Sequence, residues 1–125
     1  MTMSRTKLLA SLHQLHQKRR RLIRRLKQEH ELAIGTVSVV KRKCGNPRCH
    51  CVDGPGHPQT LFLFKDEKEG RRRCKLVRRA DEAWMLRAGE RYRELREDMK
   101  QLRAIDSEEK RILMALAEER AIHYE

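Results

Sequence analysis

Aromatic residues are scarce in this chain, with one Trp, two Tyr and two Phe among 125 residues. So few rings, in a chain only 38% hydrophobic, exclude a thick globular core, and other constraints must hold the single domain that this length allows. Long apolar runs are missing as well. No segment reaches eighteen consecutive apolar residues, which excludes a membrane-spanning helix, and the start M-T-M-S-R-T-K-L-L-A lacks the apolar centre of a signal peptide. A cytoplasmic protein with no membrane partner is expected. Acidic residues are sparse where basic ones are dense: residues 1–33 carry +7, residues 34–78 carry +7 and residues 79–125 carry −2, within a net charge of +12. The positive field therefore belongs to the first two thirds, and a phosphate-rich partner is its simplest explanation.

Three of the four cysteines and two of the six histidines sit in one stretch, C-G-N-P-R-C-H-C-V-D-G-P-G-H, from Cys44 to His57. Its three glycines and two prolines forbid helix and favour tight turns. Soft ligands bunched on a sharply turned loop of a cytoplasmic protein point to a metal and away from disulfides. Cys44, Cys49, Cys51 and His57 supply the three thiolates and one imidazole of a closed tetrahedral zinc site. His50 and Cys74 are the alternatives for the fourth position. Cys74 also reads as a small buried hydrophobe in a strand.

The flanks are patterned for helix. Ser4 suits an N-cap, and Leu8, Leu12, Leu15, Leu22, Leu26 and Ala33 recur at three- and four-residue steps until Gly35, so a helix of about thirty residues is expected, its narrow seam broken by Arg19. Lys18, Arg20, Arg21, Arg24, Arg25 and Lys27 crowd two turns with no acid among them. Thr36 to Lys43, Thr60 to Lys65 and Arg71 to Arg78 then read as three strands of an antiparallel meander, with the metal loop between the first two. Lys41, Arg42, Lys43, Arg48, Arg71, Arg72, Arg73, Lys75 and Arg78 form a second basic cluster there. Phe62 and Phe64 share a face and are assigned to the core, with base stacking as the lesser reading.

From about Asp81, Met85, Ala88, Tyr92, Leu95, Met99 and Leu102 continue a seam to the C-terminal region. Asp106 and Glu109 fall where apolar residues belong before Ile112, Leu113 and Leu116 restore it. That implies either a stutter or a new helix capped by D-S-E-E; one long helix of about forty residues, bent at that point, is favoured. Trp84 is expected over the sheet. The fold class is α+β: a small zinc-stapled three-stranded antiparallel sheet flanked by two long coiled-coil-like helices. The boundaries are 1–35, 36–79 and 80–125 within one structural unit. An antiparallel pairing of the two helices would leave the longer one overhanging, which argues for a homodimer through the helices.

The run S-V-V-K-R-K-C-G-N-P-R-C-H-C, followed by G-P-G-H-P and L-F-L-F, resembles a family of small uncharacterised bacterial proteins often encoded beside transposases and recombinases of mobile elements. The resemblance covers roughly residues 36–105 and implies roles for Cys44, Gly45, Pro47, Cys49, Cys51, Gly56 and His57. Where that family continues H-G-P with aromatic residues, this chain has His57-Pro58-Gln59-Thr60.

The reading that follows is a zinc-containing nucleic-acid-binding accessory protein of a mobile element, with DNA favoured over RNA and a transposase or recombinase as a further partner. The competing reading is a coiled-coil adaptor for such a protein. Enzyme chemistry is not expected, because four ligands close the site and Asp53 is the only carboxylate in the loop.

Overall fold

Leu26, not Gly35, ends the first helix. In the computed structural model, which describes residues 4–124, α1 runs Arg5–Leu26, with the Ser4 side chain accepting from the Lys7 backbone N–H at 3.3 Å. Stopping there puts Arg24 and Arg25 in the last turn, where cations meet the negative end of the helix dipole, and leaves Glu29 and Glu31 outside it. Ala33, which fits the heptad spacing of α1, lies outside it: it is buried, and its N–H donates to the carbonyl of Ala88, in the second helix, at 3.1 Å.

Three strands follow: β1 (Thr36–Arg42), β2 (His57–Lys65) and β3 (Arg72–Leu76), in the antiparallel order β1-β2-β3. This is the expected meander. The second strand begins three residues earlier than its apolar pattern suggests, because His57 pairs with Arg42 across the sheet. A 3-10 turn, His50–Asp53, lies in the loop between β1 and β2. The turn after β2 is closed by Gly70 N–H donating to the Asp66 carbonyl at 2.7 Å and by the Asp66 side chain accepting from Lys68 N–H at 2.9 Å. A second 3-10 turn, Arg79–Asp81, leads into α2 (Glu82–Glu118). The D-S-E-E segment starts no new helix: α2 is continuous for 37 residues and ends short of the C-terminal residues that its expected span included.

The described residues divide into two compact units, not one. Residues 30–94 hold the sheet and the first turns of α2. Here Gly89 lets the helix reach β1: a Cβ at this position would lie 2.8 Å from the Val37 Cγ2 methyl. Gly35 has φ +153°, and a Cβ there would lie 2.1 Å from the Leu63 carbonyl oxygen, so close approach to β2 is what requires this glycine. These first turns are the ones that an antiparallel helix pair leaves over, so the overhang does not by itself call for a second copy.

The other unit, residues 4–29 with 95–124, pairs α1 antiparallel to the rest of α2. Leu8, Leu22, Ile105 and Ile112 are buried between them. The seam of α2 follows Leu95, Asp98, Leu102, Ile105, Glu109, Ile112 and Leu116, an unbroken heptad in which Asp98 is 4% exposed and Met99 37%. The stutter disappears once Asp98 and Glu109 are accepted as seam residues. Arg19, the interruption in α1, lies opposite Glu109: its Nη2 donates to Glu109 Oε2 at 2.7 Å and its Nη1 lies 2.6 Å from Asp106 Oδ1. The Asp106 hydrogen bond, then that of Glu109, raises the Arg19 pKa above its usual value. Arg25 Nη2 lies 3.0 Å from Asp98 Oδ1 but too obliquely for a hydrogen bond, so that oxygen is held by charge alone.

Arg19→Met leaves Glu109 in the seam and the more exposed Asp106 beside it without their cation. It should destabilise the protein by about 1–2 kcal/mol, between the small worth of an exposed pair and the cost of opening a buried one. Adding Glu109→Leu should recover most of the loss in urea unfolding; a single variant as stable as the parent would show that the pair carries no stability.

Candidate metal centre

Four donors converge at the end of β1. One ligand atom from each of Cys44, Cys49, Cys51 and His57 lies within 4.8 Å of the other three. The Cys44 and Cys51 sulfurs are 3.5 Å apart, and Cys49 Sγ is 2.9 Å from His57 Nε2. A tetrahedral zinc ion bound at the usual lengths sets sulfur–sulfur edges of about 3.8 Å and sulfur–nitrogen edges of about 3.6 Å. The cluster is therefore of the right size and donor chemistry to hold such a metal ion.

Local structure explains the convergence. Cys44 follows β1 by two residues and His57 opens β2, so the Arg42–His57 pairing sets the separation of the first and last donors. Between them, Cys49 N–H donates to the Asn46 carbonyl at 3.0 Å, while the Asn46 side chain accepts from Arg48 N–H at 3.0 Å. The 3-10 turn then swings Cys51 back until it is 3% exposed and its sulfur lies 3.5 Å from the Cys44 backbone nitrogen. Lys43 Nζ closes the far side on the Val52 carbonyl at 2.8 Å. Gly56 has φ +94°, and a Cβ there would fall 2.5 Å from the Arg42 carbonyl carbon.

The two alternative ligands lie elsewhere. His50 is exposed, its ring set edge-on to that of His57 at 5.5 Å between centroids. Cys74 is exposed on β3, a strand whose residues are all exposed, so the expectation of a buried thiol there is corrected: an edge strand has a neighbour on one side only. The sequence signal that could have placed it is the run of arginines around it.

Strand alternation divides the basic residues of the sheet. Paired residues share a face, and Val37 against Gly89 marks the one that meets α2. Lys41, Arg73 and Lys75 lie on that face, Arg42 and Arg72 on the other, Arg48 on the metal loop and Arg71 at the turn. Arg73 is tied to Asp66 and Glu69, each at 3.0 Å, Arg78 to Asp81 at 3.2 Å, and Lys75 sits 5.9 Å above the Phe64 ring. On α1, Lys18, Arg20, Arg21, Arg24 and Lys27 are exposed and, with Lys41, Arg42, Arg48, Arg71 and Arg72, have no acidic partner among the described residues.

Phe62 and Phe64 are half-buried, with rings stacked at 4.9 Å and 21°. They form the floor of a cavity of about 780 Å³ that Leu32, Ile34, Trp84 and Met85 wall. Trp84 reaches it while its Nε1 donates to Asp81 Oδ1 at 3.0 Å. Sequence reasoning placed these rings in a filled core and missed the cavity, which the scarcity of aromatic residues foreshadows.

The fold and the cluster define a small α+β protein whose one dense set of soft donors sits in a sheet loop. A family model described as a domain of unknown function (DUF6788) matches residues 12–87, more than half of the chain, and the protein belongs to that family. The matched region includes all four donors. No curated protein and no solved structure matches the chain.

Gly56→Ala places a methyl group against the Arg42 backbone at a positive φ. It should misplace His57 and lower metal retention during dialysis against a mild chelator, whereas Gly45→Ala, which shares the strain of a positive φ (+83°) but meets nothing within 4 Å, should affect the site less. Equal retention in the two variants would show that the Arg42–Gly56 contact does not position the ligand.

Proposed function

We propose that this is a zinc-containing nucleic-acid-binding protein in which the metal fixes a small basic sheet and α1 adds phosphate contacts. The observation that carries the reading is the pairing of a closed four-donor cluster with ten cations lacking acidic partners among the described residues. Three thiolates and one imidazole suit zinc and fill a tetrahedron, which favours a structural ion over a catalytic one. No described helix is long and apolar enough to cross a membrane. The cations answer best to a nucleic-acid polyanion, bound electrostatically and with steep salt dependence. A role beside the transposase or recombinase of a mobile element rests on the resemblance of the Cys44–His57 motif alone.

A protein partner is the second reading, favoured by the sheet face turned away from α2. There Leu63 is 43% and Leu76 61% exposed. Such a partner, or a second copy of the chain, would bind with little salt dependence.

Arg21→Glu with Arg24→Glu should weaken binding to a DNA duplex at least about tenfold and flatten the salt slope while leaving helix content unchanged; unchanged affinity would remove α1 from the interface. Cys49→Ser should lower the zinc content, about one ion per chain in the parent, and loosen the sheet. A parent protein that is stable and free of metal after purification under reducing conditions would contradict the zinc site.

A further inference from the structure

Residues 4–28 contain no acidic side chain, so α1 is neutralised only where the carboxylates of α2 reach it. At about 100° per residue its side chains sort into bands. The band with Leu8, Leu15, Leu22 and Arg19 is the seam. On the side turned away from it Gln14, Gln17, Arg21 and Arg24, all exposed, fall within an arc of about 80°, with Arg21 also lining the groove against α2 and Gln17 Nε2 lying 3.3 Å from His13 Nε2. Lys18 and Arg25 border this ridge on one side and Arg20 and Lys27 on the other. The ridge therefore combines amides and guanidinium groups at its centre with cations along both borders.

We infer that α1 is a reading helix for duplex DNA: the ridge enters the major groove, and the bordering cations meet the two phosphate backbones. This rests on the nucleic-acid reading above and adds which element carries selectivity. Glutamine can bond the adenine edge and arginine the guanine edge in pairs, so the amides and guanidinium groups at the centre of the ridge are of the kind that reads base edges. A helix about 10–12 Å across fits a groove about 12 Å wide. From Gln14 to Arg24 the ridge rises about 15 Å, the length of four to five base pairs.

The groove beside Lys18, Arg21 and Arg25 is walled on α2 by Gln101, Ala104 and Ile105, so no carboxylate on that wall repels a phosphate. Arg25 is the one border cation tied down, to Asp98. Single strands are bound on aromatic platforms, and α1 has no Phe, Tyr or Trp. The deep, narrow major groove of double-stranded RNA does not admit a helix.

The test uses the full-length protein as purified and a pool of DNA duplexes randomised in sequence. Repeated selection should enrich one motif of four to five base pairs. Gln14→Ala with Gln17→Ala, which changes no charge, should bind the selected duplex at least about tenfold more weakly and the unselected pool with parental affinity. Glucosylated hydroxymethylcytosine, which fills the major groove, should weaken binding of the selected duplex by a similar factor. Salt-sensitive binding that yields no motif, or a selected duplex bound equally by parent and double variant, would overturn the reading helix and leave the electrostatic interface standing. Absence of binding to duplex, single strand and RNA alike at low salt would overturn both.

Discussion

A helix with no carboxylate of its own has to borrow its counter-charges, and α1 borrows them from α2. Asp98, Asp106 and Glu109 reach Arg25 and Arg19 across an otherwise apolar seam. Charged groups in such a seam contribute less to stability than apolar residues of similar volume, yet sliding the helices by one turn would leave several of them unpaired. The arrangement therefore sets which residues face each other. By spending the available acids inward, it also leaves Lys18, Arg20, Arg21, Arg24 and Lys27 facing solvent without compensation.

The sheet solves a different problem with a similar economy of parts. Three strands are a minimal sheet, stable only with an apolar face or a helix packed against it. Ala33 and Gly89 bring chain segments close enough for α2 to cover one face, and the Cys44–His57 loop supplies four donors at the end of β1. The opposite face keeps Leu63 and Leu76 in view of solvent, and the covered face retains a cavity over Phe62 and Phe64. With only two Phe and one Trp, the chain has little to fill it.

The donor set was legible in the sequence because thiols bunched among glycines and prolines have few other uses, and the meander because β-branched runs alternate between turn signals. Arg19 and the Asp106–Glu109 segment were legible only as separate anomalies; that each answers the other is a tertiary fact with no local signature. Reading Met99 as a seam residue cost one position of register, since hydropathy ranks Met over Asp98 and cannot know that a guanidinium waits across the seam. The end of α1 was hidden because Ala33 fits a heptad as well as it fits its buried place beside Ala88 of α2. Cys74 was misjudged because burial at an edge strand depends on what covers it, which periodicity does not encode.

The contiguity of the four donors bears on the order in which the molecule can assemble. Cys44 to His57 emerge from the ribosome as one short segment, so a cation can be captured before β3 or α2 has been synthesised. Of the two helices α1 is by contrast matched late, since its counter-charges sit about seventy to ninety residues downstream. Until they arrive, α1 lacks the carboxylates that neutralise Arg19 and Arg25 in the folded chain.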